Sequence, residues 1–166
     1  IPPQQHEHYL KIVLAEAQRL SRLVRAMLDI AKIEAGEMKL SPTVFDINET
    51  VCRALFPFER KIEEKRLEIR GLDMPEKVLV FADADLIHQV VYNLIDNAIK
   101  FSDDGGYIEF RYATVRNQVY VSVRNSGQGI TEEECAHIFE RFYKTDKSRS
   151  RDKQGVGLGL HIVKSV

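Results

Sequence analysis

Residues 83–101 constrain the fold more than any other stretch. Leu86, Val90, Leu94 and Ala98 recur at helical spacing, with Ile87, Val91 and Ile95 beside them. The opposite stripe is Gln89, Asn93, Asn97 and Lys100, with Asp96 nearby. Such a segment is an amphipathic helix whose apolar side must lie on another layer. Asn93 and Asn97 are four residues apart and Lys100 is three further on, so the three side chains project from one face. Amide oxygens suit a hydrated Mg²⁺, and a lysine suits phosphate. Taken alone, the stripe is an ordinary polar helix face.

The rest of the chain says what that helix packs on. Residues 6–35 form one long helix, with Leu10, Val13, Ala17, Leu20, Val24, Met27 and Ala31 as a heptad seam. Lys11, Glu16, Arg19, Arg22 and Arg25 lie on a solvated face, and Gly36 ends the pattern. Pro42 breaks helix, and 43–47 suits a strand. A second helix is expected from Asn48 to about Lys65, with Val51, Leu55, Phe58 and Ile62 on one side. Strands are expected at 67–70, 78–81, 107–114 and 119–124, with a turn at 103–106. A short helix covers 131–140, and a last one begins at Gly157. Residues 143–154 are polar, basic and nearly free of aliphatics, so disorder without a ligand is expected there. Strands and helices mix without strict alternation. The fold class is therefore α+β, with helices over one face of a mixed sheet.

Composition narrows the function classes. The 166 residues are 44% hydrophobic and 30% charged, the balance of a soluble globular protein. A net charge of −1 gives no nucleic-acid footprint. No run is long and apolar enough for a membrane span, so any span is expected outside these residues. Cys52 and Cys135 make neither a disulfide framework nor a zinc site, and are expected to be small apolar fillers in a reducing compartment. The abrupt ends are expected to be fragment boundaries.

Two glycine-rich segments stand beside helix starts. Asn125-Ser126-Gly127-Gln128-Gly129-Ile130 follows a strand and precedes a helix. Gly155-Val156-Gly157-Leu158-Gly159-Leu160 opens the last helix, where backbone N–H groups can cradle phosphate. Neither is a Walker A loop, since no GK[ST] follows. Between them, Phe139 and Phe142 are placed to anchor a loop edge in the core, while Arg141 and Lys144 can reach phosphate.

Taken in order, these segments resemble sensor histidine kinases. His88-Gln89-Val90-Val91-Tyr92-Asn93-Leu94-Ile95-Asp96-Asn97-Ala98-Ile99-Lys100-Phe101-Ser102 resembles their N box. Asn125 to Ile130 looks like the G1 box, Phe139 to Phe142 like the F box, and Gly155 to Leu160 like the G2 box. The helix ending Leu28-Asp29-Ile30-Ala31-Lys32-Ile33-Glu34-Ala35-Gly36 resembles the second helix of their dimerisation domain. The resemblance implies a two-layer α/β sandwich, the Bergerat-type ATP-binding fold shared with gyrase, mismatch-repair ATPases and a heat-shock chaperone. It also implies a division into 1–36, part of the dimerisation and phosphotransfer domain, and 37–166, the ATP-binding catalytic domain.

By the same resemblance, Asn93 and Asn97 take Mg²⁺ and phosphate roles. Lys100, Tyr143 and Lys144 contact phosphate or ribose. Gly127 and Gly129 shape the adenine end, and Gly155, Gly157 and Gly159 form a lid hinge. Phe101, Asn125, Ile130, Phe139, Phe142, Val156, Leu158 and Leu160 complete the nucleotide site. The implied activity is transfer of the ATP γ-phosphoryl group to a histidine on a first dimerisation helix, then to an aspartate of a response regulator. The implied setting is a cytoplasmic region of a homodimer, with any membrane anchor elsewhere. A nucleotide-gated, non-catalytic or phosphatase-biased interaction module is the alternative.

The sequence departs from the family pattern in places. His6, His8, His88, His137 and His161 all lack the phosphoacceptor context, so no self-phosphorylation of these residues is expected. The family's last strand is expected to lie beyond these residues. Asn125 stands where the G1 box normally has aspartate. A neutral amide both accepts and donates, so looser discrimination between ATP and GTP is expected.

Overall fold

A computed structural model describes the backbone of residues 3–74, 76–145 and 157–166; side chains at 3–5, 7, 8, 15, 18, 19, 22, 26 and 34 lie outside the description. Helix α1 runs Pro3–Glu34. Gly36, at φ +66°, closes it while Glu37 N–H donates to Lys32 O at 3.1 Å. The heptad seam is bare: Leu10, Val13 and Leu20 are 67%, 63% and 60% exposed. The buried apolar residue of α1 among those described is Ile30, at 3%, which the heptad pattern passes over.

Strand β1 (Pro42–Asp46) leads into α2 (Ile47–Leu55), whose N-cap Asp46 accepts from Asn48 N–H. The single helix expected from Asn48 to about Lys65 is not observed. A 3₁₀ turn, Phe56–Phe58, separates α2 from α3 (Glu59–Glu64). Pro57 is the cause: it has no N–H to donate, and its ring crowds the carbonyl four residues back. The turn sends Phe58 into the core at 2% exposure.

Then come β2 (Glu68–Arg70), β3 (Leu79–Asp83), α4 (Ala84–Phe101), β4 (Tyr107–Val115) and β5 (Gln118–Asn125). The strands at 68–70 and 79–83 are neighbours in sequence but not in space. β2 pairs in parallel with β4, and β4 pairs antiparallel with β5, giving a mixed three-stranded sheet. β3 pairs instead with β1, antiparallel, with Val44 opposite Phe81. Arg116 and Asn117, both at positive φ, make the two-residue hairpin loop that the right-handed strand twist favours. Helix α5 (Glu132–His137) is shorter than the expected 131–140; Thr131 and Glu134 form a capping box at its start. Helix α6 is Gly159–Ser165.

One core lies between the helices and the mixed sheet. Val51, Ala54 and Phe58 meet Val91, Ile95, Ala98 and Ile99 of α4, over Ile108 and Phe110 of β4. The buried stripe of α4 is thus Val91–Ile95–Ala98–Ile99, one position round from the Leu86–Val90–Leu94 line. The other face of the sheet is charged, with Glu68–Arg70 and Glu109–Arg111 pairs. Both cysteines are exposed, so the reading of them as apolar fillers is wrong.

Candidate functional site

The polar face of α4 forms one wall of a cleft of about 1200 Å³. Asn93, Asn97, Lys100, Phe101, Asn125, Gly127, Gly129, Ile130, Phe139, Tyr143, Lys144, Gly157, Leu158, Gly159 and Leu160 all line it. Gly155 and Val156 lie outside the described residues, as does most of the segment expected to be a lid. Phe142 does not line the cleft and is 53% exposed. Its expected anchoring in the core is not found. At φ +62° the chain reverses there, and the Phe142 N–H donates to Gly157 O at 3.0 Å.

Both ends of α4 are held. Asp83 caps the start, accepting from Asp85 and Leu86 N–H at 3.1 and 3.2 Å. Backbone N–H bonds, from Ser41 first and then Leu86, keep the Asp83 carboxyl below its usual range. At the far end Lys65 Nζ donates to Ile99 O at 2.8 Å and Ser102 O at 2.7 Å, with Lys100 O at 3.4 Å. The last turn of a helix leaves carbonyls without partners, and an ammonium there also meets the negative end of the helix dipole.

Within the cleft, Asn93 Nδ2 is buried and has no hydrogen-bond partner among the described residues. A buried amide N–H without an acceptor is costly unless a ligand supplies one. Lys100 Nζ lies 2.5 Å from Asp96 Oδ2, and both side chains are about a quarter exposed, at 27% and 25%. Opposite α4, a Cβ on Gly159 would stand 3.5 Å from Asn93 Oδ1, which brings the start of α6 directly against that amide.

The 125–130 turn presses on the end of α4. A Cβ on Gly127 would stand 2.2 Å from Phe101 O. Ser126 ties the turn to β4: its N–H donates to Tyr107 O, and its Oγ accepts from Tyr107 N–H, each at 2.8 Å. Asn125 Nδ2 donates to Ser126 O at 3.3 Å, so one donor of the amide is already engaged.

His161 joins α6 to the 139–145 segment. A carbonyl only accepts, so Nδ1 carries the proton that bonds Phe139 O at 2.9 Å, and Nε2 accepts from Arg141 Nε at 3.2 Å. Sequence reasoning gave His161 no role. It also left Gln89 and Asp96 unassigned on the face they share with Asn93, although their helical spacing was visible. Leu23, Arg25 and Asp29 of α1 line the cleft as well. No local pattern pointed to them, and Arg25 was placed on a solvated face. They are brought there because Ile30 packs on Leu158 and Ile162 of α6.

The donor set bears on which ion fits. No group of three or more His, Cys, Asp or Glu is gathered among the described residues. The α4 face offers two amides and one carboxylate. That suits an ion such as Mg²⁺, which keeps waters and shares its coordination with phosphate, and does not suit an all-protein cage.

Residues 82–166 match the profile of the histidine kinase-, DNA gyrase B- and HSP90-like ATPases. The chain belongs to this ATPase family. Its relatives within the family are sensor histidine kinases. Sensor protein SrrB of Staphylococcus aureus is 31% identical over 164 residues, covering 99% of this chain and 28% of SrrB. The structure of full-length ShkA in complex with AMPPNP superposes with a TM-score of 0.80 and 27% identity, over 97% of this chain and 33% of that one. Histidine kinase ThkA in complex with the response regulator TrrA gives 0.69 and 31%, over 87% and 42%. The chain therefore spans less than half the length of these relatives. No helix among its described residues is long and apolar enough to cross a membrane.

Proposed function

We propose that the cleft binds ATP with Mg²⁺ and that, in the whole protein, the γ-phosphoryl group passes to a histidine of a dimerisation helix and on to a response-regulator aspartate. The observation that carries the reading is the α4 face, where Asn93, Asn97 and Lys100 stand together in the cleft and Asn93 has an unanswered donor. Asn93 N–H offers a hydrogen bond to a phosphate oxygen. Asn97 and the oxygen side of the Asn93 amide hold the ion. Lys100 and Lys144, on opposite walls, neutralise phosphate charge. Bound Mg²⁺ supplies charge neutralisation between phosphate oxygens. Phosphoryl transfer needs little else from a protein than position and charge. The complexes of ShkA with AMPPNP and of ThkA with TrrA support the reading by likeness.

On this reading, residues 1–36 are the second helix of the dimerisation and phosphotransfer domain, and 37–166 the catalytic domain. The region works in the cytoplasm, with any membrane anchor in other segments. Asn97→Ala removes one polar partner from the ion, costing on the order of 1–3 kcal/mol. The expected result in calorimetry is a roughly 5- to 150-fold loss of ATP affinity with Mg²⁺ present. Unchanged affinity would defeat the assignment. A phosphatase-biased or non-catalytic module remains the second reading, favoured by the neutral Asn125. It predicts nucleotide binding without label transfer when the acceptor helix is supplied.

The bare seam of α1 carries the dimer proposal. An exposed apolar stripe of this length is buried by self-association. Sedimentation velocity across a hundredfold concentration range should show a rising mass, and Leu20→Glu should suppress it. A single monomeric species throughout would count against the seam as a dimer core.

A further inference from the structure

We propose that Asp96 makes the site selective for metal-complexed ATP over the free nucleotide, by holding Lys100 until a metal ion occupies its carboxylate. The inference rests on the nucleotide reading above. Asp96 and Lys100 are one helical turn apart, in contact at 2.5 Å, and both line the cleft with Asn93 and Asn97. An exposed pair of this spacing would be a minor surface feature. This pair is three-quarters covered and faces the very atoms that would meet a polyphosphate.

Free ATP entering the cleft meets an ammonium whose charge is already answered, and a carboxylate that repels it. To reach Lys100 it must leave Asp96 facing the phosphates unpaired, which is costly in a partly desolvated site. A metal-bound nucleotide meets a different balance. Its cation attracts the carboxylate, which lies three residues from Asn93 on α4 and lines the same cleft as Asn93 and Asn97. Lys100 is then released toward a phosphate oxygen. The exchange breaks one ion pair and forms two, Asp96 with the cation and Lys100 with a phosphate oxygen. Specificity of this kind comes as much from the repelled competitor as from the accepted ligand.

The test is calorimetric titration of ATP, in excess chelator and in excess Mg²⁺, on the chain and on its Asp96→Asn, Asp96→Ser, Lys100→Met and Asp96→Asn/Lys100→Met variants. Asp96→Asn should bind free ATP about tenfold more tightly and lower the Mg²⁺-over-chelator affinity ratio by at least about tenfold. Asp96→Ser should lower the ratio too. The gain with free ATP should vanish in the double variant, because it acts through Lys100. A ratio unchanged in both Asp96 variants, or an equal loss of affinity in both conditions, would overturn the role of Asp96 and leave the nucleotide site intact. No heat of ATP binding to the unmutated chain in either condition would overturn both.

Discussion

Gly127→Ala is expected to melt lower than the unmutated chain and to lose nucleotide binding, whereas Gly129→Ala should melt with it. The contrast follows from what a Cβ would meet. At Gly127 it would stand 2.2 Å from Phe101 O and 3.2 Å from Phe101 C, while at Gly129 nothing lies within 4 Å. Phe101 is the last residue of α4, and its neighbour Lys100 has its carbonyl within reach of Lys65. The carbonyl at 101 cannot swing aside without disturbing that end. The turn must therefore back away from α4 by about an ångström. Overpacking of this sort costs about 1–3 kcal/mol. For a chain of this size that is a fall of about 2–12 °C in Tm. Binding is expected to fall as well, because the turn and α4 are two walls of the same cleft. At least a tenfold drop in ATP affinity is expected. Equal melting of the two variants would mean that the contact between turn and helix does not shape the cleft.

Lys65→Met is expected to have the next largest effect. Methionine keeps most of the apolar stem but leaves the Ile99 and Ser102 carbonyls without their ammonium donor. Each polar group stranded in a half-buried position costs about 1–3 kcal/mol, less where water enters. Lys65 also fixes this corner through its backbone, since its carbonyl accepts from Gly105 N–H at 2.7 Å. That bond survives the substitution, so the corner loosens without coming apart. The urea midpoint should fall, and amide exchange at Ser102, which donates to Ala98 O at 3.0 Å, should quicken. Exchange at Asp85, at the other end of α4, should change little. A midpoint within error of the unmutated chain would show that water replaces the ammonium at no cost.

What was legible in the sequence, and what was not, divides by the range of the interaction. The polar stripe of α4 follows from a 3.6-residue period, a property of that helix alone. The hairpin of β4 and β5 was equally plain, because alternation and a two-residue loop are both local. The break at Pro57 had a local signal that helical spacing on either side overrode. Strand partners carried none: nothing in Glu68–Arg70 says that it pairs with β4 while Leu79–Asp83 turns to β1. Lys65 reaches carbonyls 34 to 37 residues away, and a lone lysine at a helix end looks like any other. Phe142 was misplaced because aromatic spacing suggested an anchor, whereas the chain uses that position to reverse direction.

The contact between α1 and α6 gives the long helix and the cleft a side chain in common. Ile30 is the buried residue at that junction, with Leu158 and Ile162 against it and Leu23 alongside. Covering one such side chain is worth about 1.5–3 kcal/mol, little enough to be reversible. Yet α1 also supplies part of the cleft wall, and Leu158 belongs to both the junction and the cleft. A ligand that binds more tightly with α1 in place must, by thermodynamic necessity, hold α1 in place by the same factor. A ligand hindered by Arg25 or Asp29 must loosen it equally. Where an occupant's affinity depends on the position of α1, the junction couples the two in both directions, and a change in the cleft then reaches a helix of 32 residues.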